Sequence, residues 1–325
     1  MAKRNVLAAA AALAVGMSVA GTAHADAWAN AQLLLSNIQL QSGGTALTSP
    51  TDFKSITFTD STTLLAQTQG FAPAFFTNNT SGFAGLPLNI VCSGPACPTS
   101  PFSPGGPPPT GNSSSAGSSL QGAAVNVVSP PIAAGAAASQ AAFSQIVGTG
   151  AGTAQGGITL SSSLQFQLAK PTGTLGIIFN VAQILKAYTE FPLFASATAG
   201  NTLSFTLKDT TTGSNIFSWS PDGTSTGGFT GFLSVTQSGN CNLQATANTN
   251  SPPPNPTLDD KSCTGSYSGL VTTALNATDF YSFGITSQST SSVTSQGIPE
   301  PTSLMLAGLA LTGLGVVGRI RRRKS

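Results

Sequence analysis

The sequence predicts a mainly all-β protein: an antiparallel, jelly-roll-like β-sandwich body between an N-terminal signal helix and a C-terminal transmembrane helix. Three observations carry this. Short apolar stretches alternate with period two, most clearly in Ile158 to Leu168 (ITLSSSLQFQL), where Leu164, Phe166 and Leu168 share one face and Gln165 and Gln167 the other. Turn signals such as Thr212-Gly213-Ser214 and Pro221-Asp222-Gly223 separate such stretches at intervals of roughly 8 to 15 residues. Between the two terminal segments lie about 270 residues, enough to bury a substantial core as one domain.

At the N-terminus, Lys3 and Arg4 precede the apolar stretch Val6 to Ala20, and Ala23-His24-Ala25 follows. This is the layout of a secretory signal peptide (residues 1–25) with an A-x-A cleavage site at Ala23 and Ala25, so the mature chain begins near Asp26. The body then opens with two predicted strands, Ala29 to Leu40 and Phe53 to Thr59, separated by a Gly-Gly loop. A turn-rich segment follows, and from Cys92 to Ser119 Pro, Ser and Gly dominate, a composition that cannot bury a core and reads as an exposed insertion. Ala133 to Ile146 is the best short helix by propensity. Leu175 to Tyr188 is read as a strand continuing into a helix. The remaining predicted strands are Leu203 to Lys208, Ile216 to Ser220, Gly231 to Gln237, Ser266 to Thr272 and Asp279 to Ser287. The body so defined spans residues 26–287, with a polar tether over 288–297 leading to a distinct terminal segment over 298–325.

That terminal segment starts with Ile298-Pro299-Glu300-Pro301 and continues through an uncharged apolar run, Leu304 to Val317. From Thr302 to Ile320 it offers about 19 residues, roughly 28 Å of helix, just enough to cross a bilayer. Arg319, Arg321, Arg322, Arg323 and Lys324 close it, and by the positive-inside rule they stay cytoplasmic as a stop-transfer tail while Glu300 and everything before it lie across the membrane.

The body differs in charge from the ends. It contains no arginine and no histidine, the one histidine being His24, and its five lysines against nine carboxylates give a net charge of −4. Nucleic-acid binding, which needs cations against phosphates, is therefore excluded as a partner class. Without imidazole, Ser-His-Asp and Cys-His nucleophile systems and the usual zinc sites cannot be built, so the sequence predicts no catalytic residues, no cofactor and no metal. Paired carboxylates for glycoside hydrolysis remain the alternative: Asp209 with Asp222 or Glu190, or Asp259 with Asp260. Asp209-Thr210-Thr211-Thr212-Gly213 and Pro221-Asp222-Gly223 are turn contexts, in which Asp bonds its own backbone. Asp259, Asp260 and Asp279 could supply oxygen ligands to calcium, but no D-x-D-x-D-G loop is present, and a solvated acidic turn is the preferred reading.

Four cysteines in an exported chain point to disulfides, and the spacing favours two local loops, Cys92–Cys97 and Cys241–Cys263. Exposed aromatics stack sugar rings in carbohydrate-binding sandwiches, and Trp219, Tyr267, Tyr281, Phe229 and Phe232 are the residues available for such a platform, although strand aromatics usually face a core. Trp28 is read as packing on an early strand.

The two ends together resemble exported bacterial PEP-CTERM proteins, whose tail joins a Pro-Glu-Pro motif, a transmembrane helix and an Arg-rich end; Pro299, Glu300 and Pro301, Leu304 to Val317, and Arg319 to Lys324 match part for part. The resemblance implies processing by signal peptidase and by an exosortase, a membrane cysteine protease of transpeptidase type that cleaves near the motif. It also implies a Gram-negative host, an inner-membrane-anchored precursor, and delivery to the cell surface or the exopolysaccharide matrix of a biofilm. The reading reached is a non-enzymatic, exopolysaccharide-associated surface protein. The alternatives are a secreted carboxylate-dependent glycan-processing enzyme and an uncleaved single-pass anchored protein.

Overall fold

Period-two burial runs through almost the whole body and builds two antiparallel sheets around a shared interior. The computed structural model describes residues 26–82, 85–95, 97, 111–121, 125, 127, 137–147, 151–190, 195–251 and 257–296. The signal peptide with Ala23 and Ala25, residues 98–110 of the insertion, and the sorting segment from residue 297, with Pro299 to Pro301 and the Arg-rich tail, lie outside them. The strands are β1 (Asp26–Ser42), β2 (Thr45–Ala46), β3 (Phe53–Thr68), β4 (Ala74–Ser81), β5 (Gly85–Ser93), β6 (Ser113–Gln121), β7 (Ala137–Val147), β8 (Ala151–Leu168) and β9 (Leu175–Thr189). They continue with β10 (Ala195–Asp209), β11 (Asn215–Trp219), β12 (Phe229–Gly231), β13 (Leu233–Ser238), β14 (Thr246–Ser251), β15 (Thr257–Asp260), β16 (Cys263–Val271) and β17 (Phe280–Gln296).

Sheet I has the order β13-β16-β9-β1-β7-β6-β5, with β2 added to β1 and β15 to β9; sheet II has the order β12-β11-β10-β17-β8-β3-β4, with β14 added to β10. The all-β antiparallel class predicted from sequence is therefore observed. With nine and eight strands, the body is larger than an eight-stranded jelly roll. The Gly-Gly loop is a tight reversal between β1 and β2, with Gly43 and Gly44 at φ of 56° and 82°, a region that a side chain rarely enters.

Four expectations are corrected. The helix read over Ala133 to Ile146 is instead β7 from Ala137 onward, paired residue by residue with β1 and β6; sheet pairing overrides the helical propensity of alanine. Leu175 to Tyr188 is strand throughout rather than strand turning into helix. The insertion over 92–119 is strand at both ends, since Cys92 and Ser93 belong to β5 and Ser113 to Ser119 to β6. The tether over 288–297 is also strand through Gln296, because β17 continues between β8 and β10.

The interior is not uniform. At one end of the sandwich, Phe58, Phe166, Phe179, Phe205, Phe217, Trp219 and Phe283 are buried together. Their rings pack at centroid distances of 4.8 Å for Phe179 with Phe205, 4.9 Å for Phe179 with Tyr267 and 5.5 Å for Phe205 with Trp219. At the other end the inward positions are Ala27, Ala29, Ala31, Ala187, Ala195, Ala197, Ala199 and Ala247, with Leu185 and Val293. Small side chains bring the sheets close there. A Cβ placed on Gly156 of β8 would stand 2.7 Å from the Ser115 carbonyl oxygen and 3.0 Å from that of Phe143, so the backbone of one sheet rests on the other.

Between the two ends runs a buried polar seam. Ser289 Oγ donates to Asn201 Oδ1 at 2.6 Å, and Asn201 Nδ2 donates to the Gln32 carbonyl at 2.9 Å. Ser287 Oγ donates to Gln140 Oε1 at 3.2 Å, and the hydroxyls of Ser144 and Ser291 share a bond of 2.8 Å. The last three of these bonds cross from one sheet to the other, whereas Ser289 to Asn201 joins β17 to β10 within sheet II; all satisfy groups that would be costly to bury unpaired. Some buried polar atoms are left without a partner, among them Gln140 Nε2 in the seam and a carboxylate oxygen of Asp60. Asp60, fully buried on β3, accepts from Ser162 Oγ at 2.5 Å while its other oxygen has no partner; burial pushes its carboxyl pKa up, against the opposing Ser162 bond.

Candidate functional site

The first and last strands of the body leave from the same end. Asp26 pairs with Val147, Gln296 pairs with Ala151, and Ala195 pairs with Ser295, all at the alanine-rich end. Both β1 and β17 are central strands, flanked on each side by a hydrogen-bonded neighbour. Only Gly297 and Ile298 separate the last residue of β17 from Pro299.

The outer face of sheet II carries the second candidate feature. Along β3, β8, β17 and β10, every other side chain points outward, and the register aligns them across the sheet. One row holds Thr59, Ser163, Gly284 and Thr206; the next holds Ser61, Ser161, Thr286 and Ser204; a third holds Thr63, Thr159, Gln288 and Thr202. Beyond a row at Leu65, Gly157, Thr290 and Gly200 comes Gln67, Gln155, Ser292 and Thr198, flanked by Asn248 of β14. Strand geometry sets such a grid at about 4.8 Å between strands and about 6.8 Å along them. Each hydroxyl and amide both donates and accepts, and none of these rows carries a charge. Within the grid, Ser196 and Thr294 share a bond of 2.6 Å and Thr198 Oγ1 donates to Asn248 Oδ1 at 3.3 Å.

The residues singled out from sequence are distributed as follows. Asp209 Oδ1 accepts from the backbone of Thr211 and Thr212 at 2.8 and 3.1 Å, and Asp222 Oδ1 accepts from that of Thr224 at 2.9 Å; both are turn aspartates, held at opposite ends of β11. Glu190 follows β9 at the alanine-rich end. Asp259 and Asp260 pair with Lys261 and Lys186 at 3.4 and 3.3 Å, whereas Asp279 lies at the aromatic end, where it accepts from Asn276. The three proposed calcium ligands are thus not brought together, because β15 and the loop before β17 belong to opposite ends of the sandwich. Among the described residues no group of three or more His, Cys, Asp or Glu could hold a metal ion. A shallow, open depression on sheet I between Asn180, Ser238, Thr264 and Ser266 contains no titratable side chain.

Both disulfides form as the spacing indicated, Cys92 with Cys97 and Cys241 with Cys263. The second anchors the aromatic end, since the Tyr267 hydroxyl donates to the Cys241 carbonyl; burial pushes the Tyr267 phenol up to about 12, with the Asp222 charge adding to the effect. The sugar-stacking candidates are corrected: Trp219, Tyr267 and Tyr281 are buried in the core, Phe229 packs against it, and only Phe232 is exposed. Sequence reasoning missed the pair that does face outward. Trp28 of β1 and Tyr188 of β9 are cross-strand partners on the outer face of sheet I, half-buried, with near-parallel rings 5.7 Å apart. The signal was alternation within β1, where Ala27, Ala29 and Ala31 claim the interior and leave Trp28 outside.

The segment following β17 decides the assignment: residues 297–324 match the model of the PEP-CTERM protein-sorting motif. The chain carries a PEP-CTERM sorting domain. The match takes in Pro299, Glu300, Pro301, the apolar run and the basic residues to Lys324, and it supports an exosortase substrate, exported through a membrane-anchored precursor. No curated protein matches the chain. Among solved structures, a mutant VP2 protein of infectious bursal disease virus is 9% identical over 91% of this chain and 86% of that one, with a TM-score of 0.11. The Gt strain of the same virus gives 10% identity over 92% and 90%, also with a TM-score of 0.11. Scores this low carry no argument about the PEP-CTERM body.

Proposed function

We propose that the body is a non-enzymatic matrix protein of the surface of a Gram-negative cell, which associates with exopolysaccharide through the outer face of sheet II after exosortase cleavage. The observation that carries this is the uncharged grid of hydroxyls and amides held in register across four strands. A polysaccharide presents repeating hydroxyls, each able to donate and accept, and many weak bonds along a chain add up through multivalency. The non-enzymatic part is supported by the carboxylates, since Asp209 and Asp222 are spent on turns and Asp259 and Asp260 on lysines. Host glycan incubated with the native body or with its Asp222→Ala variant should yield no products; product release by the native body that is lost in Asp222→Ala overturns it.

Affinity electrophoresis of the processed protein in gels containing the host polysaccharide tests the association. Retardation should be lost in the double variant Thr286→Arg, Thr202→Arg, and it should change little with salt, because no charge is involved. Retardation that survives the double change, or that vanishes in salt, overturns the reading. Sorting is tested by intact mass and fractionation from the native host with and without Glu300→Ala. Release of the native body and membrane retention of the variant are expected; an intact C-terminus in the native protein would make this a single-pass anchored protein.

A further inference from the structure

A sheet ends in strands whose outward N–H and C=O groups have no ladder partner, and folded proteins blunt such edges by shortness, charge, proline, a bulge or a covering segment. Among the described residues this body blunts each of its edges but one. In sheet II, β12 is three residues long, and β14 is tied to β15 of sheet I by the Asn248 N–H donating to Asp259 Oδ2 at 2.9 Å and by Lys261 Nζ donating to the Thr246 carbonyl. In sheet I, β13 has the turn at Gly223 against it, held by Gln237 Nε2, and β5 carries Pro87 and a register shift between Leu86 and Asn89. The strand left over is β4.

Among the described residues β4 pairs with β3 alone, in unbroken register from Thr59 with Ser81 to Ala66 with Ala74, and its eight residues include neither proline nor charge. Its outward side chains, Phe75, Thr77, Asn79 and Ser81, are exposed, Phe75 to 66%. Charge decides what such an edge can receive. No charged residue lies between Asp60 and Lys170, whereas the body as a whole carries −4. A charged partner finds nothing here to pair with, and two copies of this chain, which repel through their net charge, meet here without like charges. An antiparallel edge is also self-complementary: a two-fold axis normal to the sheet sets the free N–H and C=O groups of one β4 against those of the other.

We infer that two copies of this chain join edge to edge through β4, antiparallel, so that two eight-stranded sheets become one of sixteen strands. The axis keeps both outer faces on the same side. Thr77, Asn79 and Ser81 continue the rows of Thr63, Ser61 and Thr59, so the hydroxyl grid runs without interruption from one copy into the next. Phe75 adds apolar area to the contact. An eight-residue strand is much smaller than the about 20 to 30 residues a side of a standard interface, so pairing is weak and follows concentration. It goes beyond the polysaccharide reading and stands without it.

Sedimentation equilibrium of the protein purified from its native host, in density-matched detergent where the sorting segment is still attached, reads the association directly. Between micromolar and millimolar protein the mass should rise from one chain to two and stop there. Thr77→Lys with Asn79→Lys should hold it at one chain, because like charges then face each other across the joint, and Thr77→Glu with Asn79→Glu should do the same. Mixing the two variants should restore the two-chain mass, which misfolded chains would not do, and salt should weaken the mixed pair. The same change on a central strand, Ser204→Lys with Thr206→Lys in β10, should leave the native pairing intact. A one-chain mass for the native protein at millimolar concentration, a two-chain mass for the β4 lysine variant, or a mixture that stays at one chain overturns the inference. Loss of pairing in the β10 variant also overturns it, since sheet faces rather than edges would then be in contact, and so does a mass that climbs beyond two chains.

Discussion

The two ends of this sandwich solve the same packing problem in opposite ways. The aromatic end fills a wide gap with Phe179, Phe205, Trp219 and Phe283, whereas the alanine-rich end closes the gap until the Gly156 backbone meets the carbonyls of Ser115 and Phe143. The first is stabilised by buried apolar area. The second has little apolar area to offer, and relies on backbone pairing and on cross-sheet bonds such as Ser144 to Ser291. A wide core therefore suffers from loss of volume and a narrow one from any gain of it.

That contrast is sharpest in two substitutions. Phe205→Ala empties the space between Phe179, Trp219 and Phe283, and should cost about 3 to 5 kcal/mol in chemical denaturation of the processed protein. A loss below about 1 kcal/mol would mean that the aromatic end collapses freely and is not a packed core. At the narrow end Gly156→Val forces a side chain against backbone, which cannot rotate away, and should cost about 1 to 3 kcal/mol or more, while Phe205→Leu is tolerated far better than its alanine counterpart. If Gly156→Val were neutral, the sheets would not be in contact there.

Reduction of Cys241–Cys263 should weaken the aromatic end by about 2 kcal/mol, since the bridge closes a loop of 22 residues beside Tyr267, and should leave the alanine-rich end protected. Amide hydrogen exchange along β1 and β10, each of which runs through both ends, reads the two responses in a single experiment. Uniform loss of protection would show that the ends unfold as one unit.

The smallest effect belongs to Asp60. Its pKa is raised in the folded state above the ordinary 3.8, so between those values the native protein binds more protons than the unfolded chain, and stability falls as pH rises through that window. Asp60→Asn removes the ionisation. Relative to the native protein, the variant should gain in melting temperature as pH goes from 3 to 7, and a gain that does not grow with pH would refute the account.

The same contrast explains what was legible in the sequence. The aromatic end follows the usual code of large apolar residues alternating with polar ones, and Leu164, Phe166 and Leu168 located β8 correctly. At the narrow end the inward residues are alanine, serine and glycine, so the code is written in size rather than polarity. Ser287, Ser289 and Ser291 face the interior as regularly as Phe283 and Ile285 do, but their polarity made the second half of β17 look like a tether. Likewise the alanines of β7 suggested a helix. A search for small residues at every second position would have carried the predicted strands further, β1 back to Ala27 and β10 back through Ala199, Ala197 and Ala195. Nothing local could reveal that Trp219 is a core residue, because that depends on which alternate set the partner sheet covers. The sorting motif was readable from its residues alone, since a linear motif does not depend on the fold, and residues 297–324 match it.

The central placement of β1 and β17 has a consequence for biogenesis. The earliest strand of the body lies in the middle of sheet I and the latest in the middle of sheet II, with β8 and β10 joined only through β17. Neither half of sheet II is complete until residues 280 to 296 have crossed the membrane, and the apolar stop follows within a few residues. Sheet I, by contrast, needs no residue beyond Val271, so the order of the sequence leaves the joining of the two halves of sheet II as the last step of assembly, immediately before the sorting segment.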